Sequence, residues 1–155
     1  MHILLKQVLD CTPDAAWNAV RSPEVFRTVG APLLSFTSVE SGGFPDTWAQ
    51  GEHRVEARLL GLIPVGGQTI DLTFTQRGDV RFVHDTGEAT SGALSVVSYW
   101  HHTMAISPTD DGRTLYRDRL LFDAEPVSLA VWPGIWAFWQ WRALRMKRLA
   151  PTWPS

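Results

Sequence analysis

Cysteine pairs, long apolar runs and a strong net charge are all missing from this chain of 155 residues. Cys11 is the sole cysteine, which excludes a disulfide framework and a thiol-rich metal site and suits a reducing cytoplasm. The formal net charge is -2, so there is no bulk attraction to a polyanion, and nucleic-acid binding would need a local basic stripe. Basic residues are not interleaved with the strand aromatics as single-strand binders require; the one positive stretch runs from Arg142 to Arg148. No window reaches the roughly 18 to 20 apolar residues of a membrane span, because Pro133, Gly134, Gln140 and Arg142 interrupt the best candidate. The opening MHILLKQVL lacks the positive start and small-residue cleavage site of a leader peptide. Chemistry-bearing motifs are scarce too. Ser91, Ser95 and Ser98 have no nucleophile-elbow context, and GLIPVGGQT lacks the lysine of a phosphate loop and the strand-to-helix setting of a dinucleotide fingerprint. No cofactor and no metal are expected, no nucleic acid, and a cytoplasmic location.

What is present is a tryptophan-loaded segment near the end, Leu129 through Ala150, carrying Arg142, Arg145, Lys147 and Arg148 toward its C-terminus, where cations suit the helix dipole. Read as one helix at 100° per residue, it places Trp132, Ile135, Trp136, Trp139, Ala143, Met146 and Ala150 on a single face. That face must be covered by something large. Phe138 and Trp141 fall on the other side beside Arg145 and Arg148, an amphipathic patch suited to a second copy of the chain or to a bilayer surface. The chain is therefore expected as a monomer or a homodimer, with peripheral membrane contact as a further option.

Two short helices are announced by their starts. Thr12 caps Pro13 and Asp14 in a helix reaching Val20, and Ser22 caps Pro23 in a second that stops near Gly30. Strands are expected over His2–Leu9, PLLSFTSVE, WAQGEHRVEARLL, QTIDLTFTQ, VRFVHDTGEA, LSVVSYWHHTMAI and RTLYRDRLLFDAE, with GLIPVGG as a turn or bulge. Short connections between the last six imply an antiparallel meander, with the first strand at an edge or closing position. One face of such a sheet is wet, and only the terminal helix is large enough to cover the other. With no linker or repeat in the sequence, residues 1–155 are expected to form one domain, in which a curved sheet around a helix leaves room for a cavity.

The opening strand with TPDAAWNAVRSPEVF, the WAQGEHRVEARL strand, the pair VVSYWHHTMAI and TLYRDRLLFDAEP, and the closing LAVWPGIWAFWQWRALRMKRL helix together resemble the START or Bet v 1-like superfamily, which includes polyketide cyclase-like proteins. The resemblance covers nearly the whole chain and implies an α+β helix-grip fold: a seven-stranded curved antiparallel sheet wrapped around a long C-terminal helix, with two short helices after strand 1. It also implies an elongated cavity for a hydrophobic, lipid-like or aromatic small molecule.

Strand alternation nominates the polar residues that would face such a cavity. Trp100, His102 and Met104 share a face; so do His53, Val55, Ala57 and Leu59; and so do Tyr116, Asp118, Leu120 and Phe122, where Asp118 is the polar exception. A carboxylate among apolar side chains needs a partner, and a His102–Asp118 pair would be suited to acid/base chemistry. His102, Asp118 and His53 are thus the catalytic candidates. The ligand-binding set adds Trp48 and Trp100 as stacking surfaces and Trp132, Trp136 and Trp139 as an inner wall. Three functions remain open: non-catalytic binding of a hydrophobic ligand between sheet and helix, a cyclase- or hydratase-type enzyme using His102 and Asp118 for proton transfer, or an interaction protein whose pocket is filled and vestigial.

Overall fold

The computed structural model describes all residues from Met1 to Ser155. Strand β1 (His2–Leu9) leads into α1 (Pro13–Val20) and α2 (Pro23–Gly30). Both helices begin as their sequences require: Thr12 Oγ1 accepts from the Ala15 amide and Ser22 Oγ from the Val25 amide. Strands β2 (Leu34–Ser38), β3 (Gly51–Leu59), β4 (Ile63–Arg77), β5 (Val80–Asp85), β6 (Tyr99–Pro108) and β7 (Thr114–Asp123) follow, and α3 (Ser128–Leu149) closes the chain. The strand order is β1-β7-β6-β5-β4-β3-β2, antiparallel throughout. This curved sheet wraps around α3, giving the helix-grip fold. No helix is long and apolar enough to cross a membrane.

Three strands differ from their sequence reading in ways that shape the interior. Strand β4 runs through most of GLIPVGG; only the tip around Leu60 and Gly61 turns, and the extra residue is absorbed by a register shift at Ala57/Arg58. By contrast β5 ends at Asp85, where alternation alone would carry it to Ala89. The reason is local chemistry. Asp85 Oδ1 accepts from the amides of Gly87 and Asp71, so its side chain replaces the regular ladder at that point. Beyond it, Thr86–Ser91 continues irregularly along β4 through Thr86 N to Asp71 O, Thr69 N to Glu88 O and Thr90 N to Gly67 O. A short 3-10 turn at Gly92–Val96 then delays the regular part of β6 until Tyr99.

The arc of α3 that meets the sheet is also offset from the expected one. Trp139 and Met146 are buried, and Ile135, Phe138 and Arg142 share their side of the helix. Trp132 and Trp136 instead stack on each other, with Trp136 44% exposed and Trp132 Nε1 donating to the carbonyl of His2 at 3.4 Å. Nor are Phe138 and Trp141 a free outer patch. Phe138 faces inward, while Trp141 Nε1 donates to Ala31 O and Arg145 to Thr28 O, so α2 and the residue after it cover them. The patch read from the sequence is thereby partly covered by the chain itself: Trp141 and Arg145 are half-buried, and Arg148 is exposed.

Candidate functional site

Apolar packing inside the sheet falls into two clusters. The larger joins α1, α2 and the middle of the sheet; the smaller gathers Ile3, Leu120, Phe122 and Trp139. Between them lies a buried polar network. Tyr116, Asp118 and Leu120 alternate inward along β7, and His102 stands opposite Leu120 in the register of β6 and β7. Asp118 Oδ1 accepts from His102 Nε2 at 2.8 Å and from Trp139 Nε1 at 2.9 Å, while its Oδ2 accepts from the Tyr116 hydroxyl at 2.7 Å. A carboxylate with only 4% exposure is costly unless its lone pairs are engaged, and here both oxygens are. Burial pushes the Asp118 carboxyl up, but the adjacent His102, with Arg142 and the indole N–H, outweighs it and holds the group below the ordinary carboxylate range. Burial and the Asp118 charge raise Tyr116 well above its usual value, so its hydroxyl stays a donor.

An ionised carboxylate can only accept, so Nε2 of His102 carries the proton it donates. In a neutral imidazole the lone pair then sits on Nδ1, which has no hydrogen-bonding partner in the protein. His102 lines a cavity of about 400 Å³, within the roughly 300–1,000 Å³ range of small-molecule sites. Of its 29 lining residues, 23 are hydrophobic, so the site selects for apolar bulk. The helices contribute Val25, Phe26 and Val29; the sheet contributes Phe36, Ala57, Ile70 and Leu72; the Thr86–Val97 stretch contributes Ala89, Leu94 and Val97; and α3 contributes Ile135, Phe138 and Met146. The polar exceptions on the wall are Gln68, Asp85, Glu88, His102 and Arg142.

Of the residues nominated from sequence, Trp48, Trp100, His102 and Trp139 line this cavity. Trp139 organises its polar end: its ring lies 5.2 Å from His102 and 5.5 Å from Trp100, both edge-on, and its N–H fixes Asp118. Asp118 sits behind His102 and Trp139 rather than on the wall, where it orients the imidazole. His53 is not brought to the cavity. Trp48 takes the wall position, and the His53 ring packs against it, tilted by 57° with centroids 4.7 Å apart, with Nε2 bonded to Ala49 O. Trp132 and Trp136 lie off the wall for the reason given above, so they do not fill it.

Two polar residues of the cavity wall, Asp85 and Arg142, escaped the sequence reading. Asp85 is buried and accepts Trp100 Nε1 at 3.3 Å besides its two backbone amides; burial raises its pKa above the usual carboxylate value against those bonds and the nearby His102. Its signal was Asp-Thr-Gly at a strand end, where an aspartate side chain bonds the amide two residues on. Arg142 was read only as a dipole-matching cation, although it lies three residues after Trp139 and four before Met146, on their arc. Its guanidinium carbon lies over the Trp139 ring, 4.8 Å from the centroid. His84 and His101 lie 5.9 Å apart outside the cavity, with His84 held by Thr75 and Thr103, and no group of three or more His, Cys, Asp or Glu side chains is placed to share a metal ion.

No family model matches the chain, and no curated protein resembles it closely in sequence. Its fold does match solved structures. A structural-genomics protein of Chromobacterium violaceum superposes with a TM-score of 0.68 at 16% identity, covering 99% of this chain and 98% of that one. A protein of Arthrobacter aurescens gives a TM-score of 0.71 at 13% identity, covering 99% and 87%. Truncated norcoclaurine synthase from Thalictrum flavum gives 0.65 at 13% identity, covering 96% and 92%. At these identities the likeness concerns the helix-grip fold.

Proposed function

We propose that this protein binds a small or medium hydrophobic molecule, lipid-like or aromatic, in the cavity between the sheet and α3. The observation that carries this reading is an apolar cavity of about 400 Å³ left open beside the helix, with only a few polar side chains on its wall, His102, Asp85 and Arg142 among them. Such a site rewards burial of an apolar body at about 25 cal/mol per Å² and fixes its orientation through a few polar contacts. Native mass spectrometry of freshly purified protein is expected to show a retained small-molecule adduct. Ala57 is 2% exposed and faces the cavity, so Ala57→Phe fills that space and removes the adduct while far-UV circular dichroism stays unchanged. An adduct of equal abundance in this variant would place the ligand elsewhere and end the proposal.

A second reading is favoured by one observation, the 2.8 Å bond between Asp118 and Nε2 of His102, a cavity-lining residue whose Nδ1 has no hydrogen-bonding partner in the protein. In it, Nδ1 removes a proton from a C–H of the bound molecule, Asp118 holds the resulting imidazolium in place, and the imidazolium, whose N–H exchanges with solvent, delivers one proton to another ligand atom. The net reaction is an isomerisation or ring closure with no change in proton count. Norcoclaurine synthase, a named enzyme among the solved structures of this fold, supports the idea that such a cavity can host chemistry. Incubating the retained ligand in D2O tests it: wild-type protein should promote deuterium incorporation at least about 100-fold faster than His102→Ala. Equal rates would reject the catalytic reading and leave the binding one intact.

A further inference from the structure

Arg142 is the one strongly basic side chain on the cavity wall. It forms no salt bridge, since the ion pairs of the fold are Arg54–Glu40, Arg81–Asp14, His102–Asp118 and Arg113–Asp111. Its nearest buried carboxylate, Asp118, already receives the N–H and O–H groups of His102, Trp139 and Tyr116. The guanidinium carbon instead lies over the ring of Trp139, 4.8 Å from its centroid, and that ring is itself pinned by Asp118, so the fork is held in place without a hydrogen-bonding partner in the protein. A charged, pre-oriented donor without a protein partner at the end of an apolar cavity is a poor stabilising device and a good anchor.

We infer that Arg142 anchors the acidic head group of the ligand, so that the cavity takes a hydrophobic carboxylic acid, with the head on the Arg142 fork and the tail toward Phe26 and Phe36. The inference rests on the cavity reading above and names its ligand class. A guanidinium fork matches a carboxylate bidentately, and such charge-assisted bonds are strongest where water is excluded. The two acids on the wall do not oppose this. Asp85 is committed to two backbone amides and to Trp100, and Glu88 is an exposed residue of the irregular stretch after β5.

Isothermal titration of the delipidated full chain with decanoate, decanol and decylamine tests the assignment, because the three share one tail and differ in head. Wild-type protein should bind decanoate at least about tenfold more tightly than decanol. In Arg142→Gln that ratio should fall toward one, and Arg142→Lys, which keeps the charge but loses the fork, should hold an intermediate ratio. Equal affinity for decanoate and decanol in the wild type, or tighter binding of decylamine, would overturn the Arg142 anchor while leaving the cavity reading standing. Failure of all three to bind would overturn both. Thermal unfolding of each variant accompanies the titrations, and the wild-type ratio decides the question even if Arg142→Gln folds poorly.

Discussion

Asp118→Ala should be the most damaging single substitution in the site, lowering stability by about 3–5 kcal/mol at neutral pH. The loss comes from what is left behind: His102 Nε2, the Trp139 N–H and the Tyr116 hydroxyl all lose their acceptor in a region shut off from water. Asp118→Asn should cost about half as much. Its amide oxygen can still take the two bonds made by Oδ1, and its NH2 can donate to a rotated Tyr116 hydroxyl, but the negative charge is gone. The pH dependence separates this from simple loss of packing. The folded-state carboxyl titrates below its ordinary value of 3.8, so as pH falls past that value the unfolded chain takes up the proton first. The contribution of Asp118 is therefore complete above pH 3.8 and is lost progressively as the pH drops toward the folded-state value. Asp85, raised by burial, acts in the opposite sense: its contribution is intact below 3.8 and declines as pH rises through the folded-state value. Urea unfolding at steps between about pH 2.5 and 6 should show the gap between wild type and Asp118→Ala narrowing on the acid side. A gap that stays constant there would mean that Asp118 is not held ionised by its neighbours.

Strand parity made much of this site legible. Because side chains alternate along a strand, the sequence alone puts His102 with Trp100 and Met104, and Asp118 with Tyr116, Leu120 and Phe122; pairing β6 with β7 then brings the two polar exceptions together. Helix caps were equally readable, since Thr12 and Ser22 each act on an amide three residues on. What parity cannot report is how far an element overlaps its partner. His53 has the parity of Val55 and Ala57 but sits near the start of β3, where Trp48 intervenes. Trp132 and Trp136 share helical phase with Trp139 but lie nearer the start of α3, where Trp132 reaches the start of β1 and Trp136 stacks on Trp132, neither lining the cavity. Arg142 shows the reverse error. Its charge argued for solvent, although its phase put it on the cavity arc, and a long side chain can be drawn inward when an aromatic ring offers it a flat support.

Gly66→Ala should have the second largest effect, acting on access to the cavity. Gly66 has φ +133°, a conformation closed to alanine without strain, and a Cβ there would overlap the backbone carbonyl of Ser91. Because the obstacle is backbone, no rotamer change relieves it; the stretch after β5 must move off β4. That stretch holds on through Thr90 N to Gly67 O, Gly67 N to Ser91 Oγ and Thr69 N to Glu88 O, and it supplies Glu88, Ala89, Leu94 and Val97 to the cavity wall. The substitution should cost roughly 2–4 kcal/mol, and its signature should be local. Hydrogen–deuterium exchange should accelerate across residues 86–98 and in β4 around Thr69, while β6 and β7, joined over ten paired positions, retain their protection. Ligand dissociation should quicken in step, because the wall that comes loose borders the polar end where Trp100 and Asp85 meet. Unchanged exchange across 86–98 would show that the close approach of Gly66 to Ser91 does not hold this wall; uniform acceleration through β6 and β7 would show that the wall is not a separate unit but part of the core.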